Sequence, residues 1–192
     1  MGIAYKMLQR IRLLFAGVKL VYMEELRQIA SYICMRYQKE FGRSIDEMKL
    51  HKLLYFVQRE SIVQLGAPMF KEEFEAWRYG PVLVPVRQLY RDGMFDTPLS
   101  AEAIEKYSAV FDKVFSQYAV KDSWSLSSLT HGEYSWKHAR QGVPDDMNST
   151  NKMTVEDISI DAQRIKTRRL LLSALRTGGG TGTCFTNNRS QQ

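Results

Sequence analysis

Cysteine is nearly absent from this chain. Cys34 and Cys184, 150 positions apart, are the only two in 192 residues, which excludes a disulfide framework and any CxxC pair. Two reduced thiols in a cytosolic protein fit such usage, and a catalytic Cys34 would need a thiol-lowering environment that a sequence does not display. Proline is scarce, at five residues. Long hydrophobic runs are missing too. The stretch from Leu13 to Val18 ends at Lys19 after six residues, too short to span a bilayer and marginal as a signal-peptide core. No GxSxG elbow occurs. Gly178-Gly179-Gly180 has no strand before it and no Lys-Ser/Thr after it, so it is not a phosphate loop. Histidine is limited to three residues. His131 and His138 are seven positions apart, roughly 10 Å along a helix axis, with Gly132 between them. That is not ligand spacing, so no metal and no other cofactor is expected.

What is present is ordinary for a folded domain: 44% apolar, 25% charged and 11% aromatic residues. A body of about 150 residues buries roughly two-thirds of its unfolded surface and needs no staples. The net charge of +6 is unevenly spread. Residues 1–22 carry four bases and no acid, and residues 162–192 carry six bases and no acid. The middle, 23–161, has 17 bases against 21 acids. A global nucleic-acid footprint is therefore unsupported, and any attraction to phosphate falls on the ends.

Periodicity predicts a mainly α protein: a compact multi-helix domain over 23–176, with a short extended or β-hairpin segment near 69–82. Residues 1–22 read as an N-terminal extension, with Met23 as an alternative start, and 177–192 as a disordered, Gly- and polar-rich tail. Leu26, Ile29, Ala30, Ile33, Cys34, Tyr37 and Phe41 form a helical stripe over 24–41, stopped by Gly42. Ser44 to Glu47 is a capping-box pattern opening a second helix to about Leu65, with Gly66 and Pro68 closing it. Leu50, Leu53, Leu54 and Val57 form its inner stripe, leaving Lys49, Lys52 and Arg59 as an exposed basic strip. Residues 69–79 lack a helical stripe and read as a strand ended by a turn at Gly80-Pro81. Pro85 suits the first turn of a short helix to Arg91. Ser100 caps a long helix with Ile104, Tyr107, Phe111, Val114, Phe115 and Tyr118 on one face. Short helices follow from Ser123 and from Ser135, then a loop over 142–152, then a helix from Thr154 to about Leu175.

Chemical candidates are few. Ser127 and Ser128 stand near His131 in sequence, a nucleophile–base pairing on paper; His131 is equally a buried or capping side chain, and His138 a surface one. Glu72, Glu73 and Glu75 read as a solvated strand edge that discourages sheet extension rather than as acid/base groups. Arg164, Lys166, Arg168 and Arg169 are dense enough to touch nucleic acid, yet equally suit the C-terminal end of a helix by charge–dipole attraction. No active site is visible, which favours a binding module over an enzyme.

Three blocks carry a resemblance. Lys49-Leu50-His51-Lys52-Leu53-Leu54-Tyr55-Phe56-Val57-Gln58, then Phe74-Glu75-Ala76-Trp77-Arg78-Tyr79-Gly80-Pro81-Val82, then Leu129-Thr130-His131 with Trp136, are similar to the successive motifs of the Panacea domain family, the SocA- and GepA-type antitoxin domain. The match spans roughly 27–140. His51 replaces the usual Gln, and the proline often found before the tryptophan is missing. The resemblance implies a cytoplasmic, phage-associated toxin–antitoxin system. In it this chain would neutralise a toxin encoded by an adjacent gene through direct protein–protein interaction. An adaptor that delivers a bound partner to a protease, or an autoregulatory nucleic-acid-binding protein, is the alternative.

Within the motifs, Leu50, Leu53, Leu54, Tyr55, Gln58, Phe74, Glu75, Trp77, Gly80, Pro81, Thr130 and Trp136 are expected mostly to build the domain. Lys49, Lys52, Arg78, Tyr79 and His131 are the expected partner surface.

Overall fold

A computed structural model describes residues 25–177. The expected extension at 1–22 lies outside the described residues, as does the expected tail beyond Thr177. Helix α1 covers 25–41, and its stripe is buried: Leu26, Ile29, Ala30, Ile33 and Tyr37 all enter the core. Helix α2, Glu47–Leu65, follows. It ends where Gly66 adopts φ 73°, the left-handed conformation that glycine takes without strain. Strands β1 (Phe74–Trp77) and β2 (Gly80–Val82) form an antiparallel hairpin. Helix α3, Val84–Asp92, has Pro85 in its first turn, and α4, Ala101–Val114, is capped by Ser100. Helix α4 continues as a π-helical turn over Phe115–Ala119. Then come α5 (Ser123–His131), α6 (Tyr134–Ala139), β3 (Lys152–Met153) and α7 (Val155–Thr177).

The fold is mainly α with a small antiparallel sheet, as expected, but three local readings change. The sheet has three strands in the order β2-β1-β3. Its third strand, Lys152–Met153, starts on the last residue of the expected 142–152 loop and was not foreseen, because two residues give no readable alternation. Strand β1 is therefore central, and Glu75 is not an edge guard: it accepts from Lys152 at 2.8 Å and from the Trp77 indole at 2.8 Å. The hairpin turn is Arg78-Tyr79, while Gly80 and Pro81 belong to β2. The caps of α2 and α5 are the aspartates Asp46 and Asp122, not Ser44 and Ser123, and α6 opens after Glu133 rather than at Ser135. A carboxylate accepts from the exposed amides of a first turn at least as well as a hydroxyl.

The largest correction concerns α2. Every residue from Lys49 to Ser61 is buried. The helix runs through the middle of the molecule, with α7, α4, α5, β2 and α3 packed around it. Lys49, Lys52 and Arg59 do not form an exposed strip: they are 3%, 1% and 1% accessible. An apolar stripe covers only one side of a helix. Here the polar sides are covered as well, by elements that supply partners for their charges. Arg59 pairs with Glu133 and donates to the Tyr118 hydroxyl oxygen at 2.7 Å. The π-helical turn presents Tyr118, whose ring stacks on Phe56 at 3.9 Å. Glu60 holds Arg169 of α7 through two bonds, 2.6 and 2.8 Å.

Candidate functional site

The three sequence blocks meet around α2. Gln58 uses its whole amide on the chain after α2: it donates to Phe70 O at 2.7 Å and accepts from the amides of Met69 and Phe70. Tyr55, fully buried, shares a hydrogen bond with Ser135 and donates to Asp161 of α7. Leu50, Leu53 and Leu54 are core, and Phe74 packs edge-on to Tyr55. Trp136 donates to Trp77 O at 3.0 Å and stacks on His131 at 4.0 Å. Gly80 is where the blocks touch most closely. A Cβ there would lie 2.6 Å from Thr130 Oγ1 and 2.7 Å from Lys52 Cε, and its φ is +102°. Only glycine meets both demands, with Pro81 O accepting the Lys52 ammonium at 3.1 Å.

The expected partner residues separate into two groups. Lys49 and Lys52 are inside the protein. The Lys49 ammonium donates to the Tyr37 hydroxyl at 3.0 Å and lies over its ring. Burial drives the Lys52 ammonium pKa down to about 7. Arg78 and Tyr79 stand exposed on the hairpin turn, with the Arg78 guanidinium over the Tyr79 ring. Tyr79 also meets Trp124 edge-on at 5.4 Å, and Trp124 is 62% exposed. His131 is half-buried beside them, and burial holds its pKa below the usual value. Trp124 was not anticipated as part of this surface. The available signal was an aromatic at the start of α5 that no apolar stripe claims.

Beside the hairpin lies a cleft of about 410 Å³ lined by Glu47, His51, Lys52, Trp77, Val82 and Arg87, among others. Glu47 accepts from Arg87 at 2.6 Å, and the nearby His51, followed by the Arg87 charge, keeps its carboxyl below the usual range. Arg87 also covers the Trp77 ring. Neither Arg87 nor His51 was singled out as a site residue from the sequence.

The remaining nucleophile candidates are occupied or unfavourable. Ser127 Oγ reaches His131 Nε2 at 3.4 Å, but its proton goes to Tyr79 O at 2.9 Å. Cys34 is pushed by burial up to about 12, away from thiolate. His138 is exposed and meets Asp157 at 2.9 Å. Among the described residues, no group of three or more His, Cys, Asp or Glu is placed to hold a metal. No helix among them is long and apolar enough to cross a membrane. Of the basic stretch on α7, Arg169 is committed to Glu60 and Arg164 lies over Tyr134, while Lys166 and Arg168 are exposed.

Arg140 and Asp161 are two buried residues that the motif reading missed. Arg140 ties Ala76 O, Pro144 O and Met147 O together. Asp161 accepts from the amides of Tyr134 and Ser135. Its signal was its position between Ile158 and Ala162, inside the buried stripe of α7.

The motif residues thus knit α2, the hairpin and α5–α6 together and leave an aromatic and cationic turn exposed beside a cleft. By sequence, residues 50–137, from α2 to α6, match the family described as Antitoxin SocA-like, Panacea domain. This stretch is thus similar to that domain, as the three blocks suggested. No curated protein and no solved structure matches the chain significantly.

Proposed function

We propose that this chain is a cytoplasmic antitoxin that neutralises a toxin encoded by an adjacent gene by binding it directly, and that it acts by complex formation rather than by turning over a substrate. The observation that carries the reading is the Panacea match over 50–137. The exposed turn supports it: Arg78, Tyr79 and Trp124 belong to the residue types that dominate binding energy at interfaces. Standard interfaces bury about 800 Å² on each partner, and this turn with Leu129, 41% exposed, offers a nucleus for one.

The test is co-expression with the product of the neighbouring reading frame. Growth arrest by the neighbour alone, relieved by this chain and accompanied by copurification of the two proteins, is the expected result. A neighbour without toxicity and without affinity for the chain overturns the reading. Relief of arrest without a stable complex, dependent on a cellular protease, points instead to the adaptor role.

A further inference from the structure

The cleft beside the hairpin holds hydrogen-bond donors that the fold itself does not use. His51 is 2% exposed, and its Nδ1 accepts the Leu83 amide at 3.3 Å. In the neutral ring the proton is therefore on Nε2. That N–H makes no hydrogen bond, because the nearest carboxylate oxygen, Glu47 Oε1, is 3.7 Å away and already takes Arg87 at 2.6 Å. Leaving a buried donor unmatched costs about 1–3 kcal/mol, which the domain sustains at one position on the cleft wall. The neighbouring Lys52 is 1% exposed and carries up to three N–H donors; among the described residues its hydrogen bond goes to Pro81 O.

The charge balance narrows the ligand. Glu47 and Arg87 cancel each other, so Lys52 is the lining charge with no carboxylate at ion-pair distance, Asp46 acting on it from further off. Below pH 7, where Lys52 is charged and burial favours the neutral His51 ring, one positive charge beside one neutral N–H suits a monoanion. A dianion such as phosphate would meet too little positive charge and the nearby Glu47. Trp77 and Val82 add apolar wall. We infer that this cleft is a binding site for a carboxylate carried on an apolar or aromatic body, with His51 Nε2–H and the Lys52 ammonium donating to its oxygens. The carboxylate has two possible sources, a small organic acid or an acidic residue of the bound toxin, and the second rests on the antitoxin reading.

The probe is 3-phenylpropionate, with 3-phenylpropionamide as its uncharged counterpart, titrated into the full chain while the His51 imidazole signals are followed by NMR. The acid should bind saturably, at about millimolar strength for so small a ligand, and shift the His51 signals. The amide should bind at least about tenfold more weakly, a difference of 1.4 kcal/mol. Lys52→Met should weaken the acid by a similar factor. Should that variant fail to fold, the acid-against-amide comparison in the unaltered protein decides alone. Equal binding of acid and amide, or no saturable shift of His51, overturns the proposal whether or not the neighbouring gene encodes a toxin. If acid binding holds, the complex with the neighbour product separates the sources. Exclusion of the acid by the bound neighbour assigns the carboxylate to the partner, and continued uptake assigns it to a free small acid.

Discussion

The two ends of α2 bury charge in opposite ways. At the C-terminal end, Arg59 faces Glu133, and Glu60 faces Arg169. At the N-terminal end, Lys49 leans on a tyrosine and Lys52 on a carbonyl oxygen, neither facing a carboxylate, and His51 leaves a donor unmatched, as Arg59 Nε does at the other end. The first arrangement fixes distant elements: α7 is pinned to α2 by Glu60, and the α5–α6 junction by Arg59. The second arrangement holds a surplus of donors beside a cleft. Buried ion pairs add little net stability over apolar residues of the same shape, but breaking one is costly. The matched end should thus be the fragile one under single substitution, and the unmatched end the one that responds to a ligand.

The largest expected effect follows directly. Arg169→Ala leaves Glu60, fully buried, without its cation, and should destabilise the domain by about 3–5 kcal/mol in denaturant unfolding. Replacing both partners, Glu60→Leu with Arg169→Leu, should cost clearly less than the single change. A double variant as unstable as the single one would mean that the pair itself, rather than the orphaned charge, governs stability there.

At the unmatched end the sensitive position is Gly80. Gly80→Ala forces a side chain into a left-handed backbone, against Lys52 and Thr130. A loss of about 1–3 kcal/mol is expected, read as a lowered melting temperature. A neutral result would show that the three blocks are not locked together at this point.

Much of this contrast was not legible in the sequence. The stripe of α1, the stop at Gly66, Pro85 in α3 and the Ser100 cap are local signals, and each is where it was read. The burial of Lys49, Lys52 and Arg59 is not local. A 3.6-residue apolar pattern reports one buried side of a helix and is the same whether the other sides face water or other elements. What covers those sides lies on other elements: Tyr37, 12 residues before Lys49; Pro81, 29 after Lys52; and Glu133, 74 after Arg59. The three-block resemblance located the right region but not the internal role of its lysines. Arg78 and Tyr79 were expected at the surface and are exposed, although the turn itself was read two residues late, at Gly80-Pro81. Arg87 and Trp124 were not foreseen, since they reach the site from neighbouring elements.

The two ends should also part company with pH. Burial and the nearby Asp161 outweigh Arg59 and raise the Glu133 carboxyl to about 7. The folded state then holds a proton that the unfolded chain releases near 4.5. Its contribution is fully present below that value and is lost as pH climbs to about 7. Lys52 works the other way. Its folded pKa near 7 lies below the unfolded 10.5, so its contribution is present above 10.5 and is lost as pH falls toward 7. Each proton changes stability by at most about 1.4 kcal/mol per pH unit. Relative to the unaltered protein, Glu133→Gln should flatten the stability profile between about 4.5 and 7, and Lys52→Met between about 7 and 10.5. Unfolding curves at closely spaced pH values test this. Identical profiles for all three proteins would break the comparison.

The smallest effect on stability is expected where the effect on function is greatest. Arg78, Tyr79 and Trp124 are exposed on the hairpin turn and at the start of α5, with Tyr79 against both of the others. Exposed side chains outside caps, cores and buried networks usually change stability by no more than about 0.5 kcal/mol. Arg78→Ala, Tyr79→Ala and Trp124→Ala should therefore unfold close to the unaltered protein. Truncating an aromatic or arginine anchor at the centre of an interface, by contrast, costs 2 kcal/mol or more of binding, roughly 30-fold in affinity. The triple variant should accordingly keep its melting temperature, fail to relieve growth arrest by the neighbouring gene product and fail to copurify with it. Because Tyr79 O takes the Ser127 hydroxyl through the backbone, removal of its side chain leaves that contact in place, and loss of relief is not explained by a collapsed hairpin. A triple variant that relieves arrest as well as the unaltered chain would move the interface away from this turn while leaving the antitoxin reading intact.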